Sequence, residues 1–69
     1  MPNWSERYRQ AQQHVIDGRQ RIERQRALVE KQKGRGSDTT ESEGLLATFH
    51  RSQSIFEDDL ARIEHEREQ

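Results

Sequence analysis

The chain has no cysteine, so neither a disulfide nor a thiolate metal site can staple it, and cysteine usage says nothing about redox compartment. It has few apolar residues, 28% of 69, against 36% charged, a balance between a globular domain and a disordered chain. A chain this short and polar folds only if those few apolar side chains share one narrow stripe. No apolar run approaches the ~18 residues of a membrane span, which excludes a membrane helix. The opening "MPNWSERYRQ" lacks the apolar core of a signal peptide, so the expected location is cytoplasmic. With four aromatic residues and no recognition-helix motif, there is also little to build a base-stacking platform from.

What is present is charge, unevenly divided. Residues 1–36 carry nine Lys/Arg and four Asp/Glu, a net +5; residues 37–69 carry three and nine, a net −6. Two antiparallel helices of opposite sign would attract each other. A basic nucleic-acid arm with an acidic tail would show the same asymmetry.

Periodicity separates the two. Tyr8, Val15, Ile22 and Val29 recur every seven residues, with Trp4, Ala11, Gly18 and Gln25 four residues before each, a heptad stripe of a and d positions. In the second half Phe49, Phe56 and Ile63 form d and Leu46, Gln53 and Leu60 form a, continuing to Arg67. The stretch "TFHRSQSIFEDDLARIEHE" holds no proline or glycine to interrupt a helix. Placing Ile22 opposite Phe49 in an antiparallel pair also sets Val15 on Phe56, Tyr8 on Ile63, Ala11 on Leu60, Gln25 on Leu46, Gly18 on Gln53 and Trp4 on Arg67. Gly18 then reads as a close-packing residue rather than a hinge. On the flanks, facing g positions pair Arg7 with Glu66, His14 with Asp59 and Leu28 with Leu45. Facing e positions pair Arg26 with Glu43, Gln12 with Glu57 and Arg19 with His50.

The expected fold is therefore all-α: a single domain over 1–69, an antiparallel two-helix coiled-coil hairpin with helices at 4–33 and 38–67 and a turn at 34–37. The least apolar stretch, "KGRGSDTTESE", becomes the chain reversal. Gly34 or Gly36 can take the left-handed position that ends the first helix. Asp38 with Glu41, or Thr40 with Glu43, can cap the second; Asp38 gives the shorter connection and is preferred. A phosphate-binding reading of "GRGSDTT" fails, because no strand precedes it, no Lys-Ser/Thr pair opens a helix, and Asp38 would repel phosphate.

Chemistry has little to work with. His14, His50 and His65 fall on separate positions and the a/d set has no Asp, Glu or His, so no metal or cofactor is expected. A helical hairpin offers no concave pocket where a serine could meet a base, so the chain is read as non-enzymatic and without a small-molecule substrate. The arginine-rich run "GRQRIERQRALVEKQKGRG" raises nucleic-acid binding through its outer face at Arg24 and Lys31, with Glu23 and Glu30 interspersed against it. The leading expectation is a protein–protein interaction or oligomerisation module. Its seam is Tyr8, Val15, Ile22, Val29, Leu46, Phe49, Phe56, Leu60 and Ile63. Its partner is a second copy, giving a homodimeric four-helix bundle, or another protein's helix.

The runs "HVIDGRQRIERQRALVEKQ" and "GSDTTESEGLLATF", followed by a second charged helix, resemble a set of short uncharacterised bacterial proteins. The resemblance is carried by His14, Val15, Gly18, Arg21, Ile22, Gln25, Leu28 and Val29, then Gly36, Asp38, Thr39, Leu45, Leu46 and Phe49, and spans roughly residues 11 to 60. It implies the helical hairpin and brings no activity with it.

Overall fold

In the computed structural model, which describes residues 4–68, two helices lie antiparallel: α1, Trp4–Gly34, and α2, Thr40–Arg67. The pair forms a rod of 53 × 17 × 14 Å, and no strand occurs among the described residues. Residues 1–3 and 69, which belong to the expected 1–69 domain, lie outside the described residues.

The heptad stripe is the core. Ala11, Val15, Gly18, Ile22, Gln25 and Val29 are the buried residues of α1, spaced alternately by four and three. On α2 Gln53 and Ile63 are buried, and Leu46, Phe49, Phe56 and Leu60 are half-buried, as is Tyr8 on α1. A lone helix pair covers each core side chain from one direction only, which leaves the larger α2 residues partly open.

The pairing register is the expected one. Gln53 lies against Gly18 and donates its Nε2 to the Val15 carbonyl at 2.9 Å. The Arg21 guanidinium lies 5.7 Å from the Phe49 ring and the His14 ring 5.2 Å from Phe56, each within one residue of the assigned layer. Trp4 and Arg67 border one shallow hollow at the same end of the rod.

The chain reversal sits slightly later than the sequence suggests. Ser37 N–H donates to Gln32 C=O at 2.9 Å and Gly36 N–H to Lys33 C=O at 3.1 Å, the two bonds of a Schellman termination. Gly36 occupies its left-handed position, with φ 72°, which decides between the two glycines; Gly34 remains helical. The second helix starts at Thr40 rather than 38, with Thr39 at the cap position making no side-chain capping bond. Asp38 does that work from one residue earlier, accepting the Thr40 N–H at 3.0 Å and the Thr40 hydroxyl at 2.7 Å. The hydroxyl first, then the N–H, hold the Asp38 carboxyl below its ordinary pKa. A depressed folded pKa stabilises above the unfolded value, so this contribution is lost as pH falls below about 4.

The two turn glycines should respond in opposite directions. Gly36→Ala is expected to cost about 1 kcal/mol, because an L side chain is strained at that φ. Gly34→Ala meets open space in a helical conformation and should gain roughly 0.5 kcal/mol. Urea unfolding of the two variants beside the parent measures both signs; equal effects would contradict the termination described here.

Candidate interaction face

The two flanks of the seam differ in chemistry. The e flank is closed by ion pairs between the helices: Arg19 to Glu57 at 2.7 Å and Lys33 to Glu43 at 3.3 Å. All four side chains are about half exposed or more, so each pair contributes under about 1 kcal/mol and serves to orient more than to hold.

These are not the partners expected from heptad letters. Arg19 was placed opposite His50 and takes Glu57, one heptad further on; Glu43 was placed opposite Arg26 and takes Lys33, again one heptad on. Arg26 pairs within its own helix, with Glu23 at 3.3 Å. The cause is side-chain direction. Each long side chain leans toward the N-terminus of its own helix, so in an antiparallel pair the tips travel past each other. The residues whose ends meet are then later in sequence than those whose Cα atoms face. The same displacement moves Arg67 off Trp4 and onto Tyr8, 4.2 Å from the ring centroid, while Trp4 takes the guanidinium of Arg7 at 4.6 Å. His14, assigned to Asp59, instead stacks against Phe56.

The g flank is apolar near the turn and carries Arg7, His14, Arg21, Asp59 and Glu66 elsewhere. Leu28 and Leu45 occupy facing g positions near the turn and are 42% and 45% exposed. Phe49 and Phe56 lean toward this side, where Arg21 and His14 partly cover them. Ile55, next to Phe56 on the outer c position, is 67% exposed. Leu28, Leu45 and Ile55 lie open on one side of the rod, and no third element among the described residues covers them. Ile16 is also exposed, but on the opposite side and alone.

At the turn end the seam becomes polar. Gln25 donates to the Ser42 carbonyl at 2.9 Å, and the Ser42 hydroxyl donates to Gln32 Oε1 at 2.5 Å. Neither Gln32 nor Ser42 is among the expected seam residues. Gln32 continues the d spacing one step beyond Gln25, which is the signal that could have found it. In mid-rod, Gln53 Oε1 is buried against Gly18 without a hydrogen-bond partner among the described residues.

Arg24 and Lys31, the residues assigned to a nucleic-acid face, are exposed and make no ion pair among the described residues. Both hold c positions beside the g flank, Arg24 one turn from Arg21 and Lys31 one turn from Leu28. Among the described residues no group of three or more His, Cys, Asp or Glu is placed to hold a metal ion, and no helix is long and apolar enough to cross a membrane. No family model, curated protein or solved structure matches the chain.

Proposed function

We propose that the protein is a protein–protein interaction module that docks an α-helical surface on its g flank. The observation that carries this reading is the contrast between flanks: one zipped by Arg19–Glu57 and Lys33–Glu43, the other leaving Leu28, Leu45 and Ile55 open beside two half-buried phenylalanines. A helix laid in the groove between α1 and α2 would cover these residues at the i, i+3, i+4 spacing that such grooves read. Binding, not turnover, is the activity proposed, in the cytoplasm and without a cofactor.

A photo-reactive amino acid placed at Leu28 or Leu45 tests this in cells that express the chain. Adducts to protein are expected from both positions and at most a few per cent as much from Gln12 or His50 on the ion-paired side. Equal labelling of the two flanks would contradict the assignment. So would adducts to nucleic acid, the alternative that Arg24 and Lys31 raise. That alternative further requires binding that falls steeply with salt.

A further inference from the structure

We infer that Gln53, seated over Gly18, is a register lock. It selects this pairing of the helices over a second one, slid by one heptad, in which the apolar face near the turn comes apart.

Much of the rod does not distinguish the two pairings. Sliding α2 by seven residues, about 10 Å at 1.5 Å per residue, keeps a positions on d positions. It sets Val15 on Ile63, Ile22 on Phe56 and Val29 on Phe49, all apolar layers. Tyr8 and Ala11 lose Ile63 and Leu60, while Val29 exchanges Ser42 for a phenylalanine. The e flank carries charge at heptad spacing on both helices, so its ion pairs are exchanged. With the same lean of the side chains, Arg19 moves from Glu57 to Glu64 and Arg26 takes Glu57, while Lys33 leaves Glu43. Exposed pairs of this kind are too weak to hold a register. The connection permits the slide as well. Gly36 and Ser37 bond back into α1 and Asp38 bonds forward into α2, so neither terminator ties one helix to the other. The linking residues 35–39 span up to about 17 Å when extended.

The contacts that do distinguish the pairings are polar and lie in the seam. Gln53 is 6% exposed and donates Nε2 to the Val15 carbonyl at 2.9 Å. It fits because position 18 carries no side chain; a Cβ there would overlap the amide oxygen. That oxygen has no hydrogen-bond partner among the described residues. Such a group destabilises the fold where a leucine would not, and a polar residue on a seam acts instead to specify register. Gln25 repeats the arrangement nearer the turn, donating to the Ser42 carbonyl at 2.9 Å. After the slide Leu60 lies over Gly18, Gln25 and Gln53 face each other, and both carbonyls lose these donors.

The lock therefore governs the apolar face. Leu28 and Leu45 occupy facing positions in the observed register. Once slid, Leu28 faces Ser52, and Leu45 is level with Arg35.

Spin labels on Gln10→Cys and Thr48→Cys, exposed c positions of the two helices, read the register in the full chain. Along the rod they are about 20 Å apart in the observed pairing and about 30 Å apart after the slide. The parent should give one narrow distribution by double electron–electron resonance. Gly18→Leu closes the gap that Gln53 fills and provides a layer for Leu60, so its distribution should move outward by about 10 Å with the helical circular dichroism kept. Gln53→Ala, a milder change, should add a second component at the longer distance. Combining Gly18→Leu with Gln53→Ala makes room for the leucine in the observed layer and should return the parent distance. A single parent distance in Gln53→Ala would overturn the lock, whether or not Gly18→Leu folds. So would a folded Gly18→Leu that keeps the parent distance.

Discussion

Ile22→Asp is expected to abolish the cooperative fold, giving helical signal near that of an unfolded chain at micromolar concentration and 25 °C. Ile22 is buried at the centre of α1, in the layer opposite Phe49. The Arg21 guanidinium beside this layer is already engaged over the Phe49 ring, 5.7 Å from its centroid. A carboxylate at position 22 would have no partner in the layer. Its burial costs several kcal/mol on top of the lost apolar side chain, more than a two-helix rod has in reserve. Ile22→Val, which removes one methylene, should cost only about 1 kcal/mol and keep the transition cooperative. Far-ultraviolet circular dichroism through a thermal scan distinguishes the two. An Ile22→Asp variant melting within a few degrees of the parent would mean the seam is not where the structure puts it.

Gly18→Val carries the second large effect. A Cβ at position 18 would overlap the side-chain amide of Gln53, which is buried and donates to the Val15 carbonyl. Valine must either push the helices apart or expel the amide and break that bond, a loss of roughly 2–3 kcal/mol by overpacking together with a lost buried hydrogen bond. Removing the obstruction should relieve most of it. In a Gln53→Ala background the same Gly18→Val change is expected to cost under about 1 kcal/mol, a coupling of ~1–2 kcal/mol between residues 35 apart in sequence. Alanine at 18 is the informative control. It gains about 1 kcal/mol of helix propensity while still displacing the amide, so it should come out near zero. Urea titrations of the four corners of the cycle give the coupling. Additive effects would contradict the contact.

The seam was legible because heptad spacing is a property of Cα positions. Val15, Ile22, Val29 and Ile63 needed only counting to place them inside, and matching two stripes end to end fixed the register at Gly18 and Gln53. The flanks were not, because ion pairs form between side-chain ends. The lean of Arg19 and Lys33 toward their own N-terminus carries them a heptad past the residues that face them. The turn was half legible: Gly36 and Asp38 were both recognised as terminators, but Asp38 caps from outside the helix, and α2 begins two residues later in consequence. The open face was visible only as Leu28 and Leu45 in facing positions. Its significance depends on the opposite flank being closed by charge, which heptad letters misassigned.

The hairpin itself is tested most directly by one intramolecular distance. Gln10 and Arg62 lie at nearly the same level of the rod on neighbouring c positions of the two helices, 52 residues apart in sequence. Spin labels on Gln10→Cys and Arg62→Cys in one chain, diluted in excess unlabelled protein, report that separation by double electron–electron resonance. The helix spacing of 8–10 Å with two label arms predicts a narrow distribution centred under about 25 Å. A distribution centred near ~80 Å, the length of one continuous helix between those positions, would contradict the fold and the interaction face built on it.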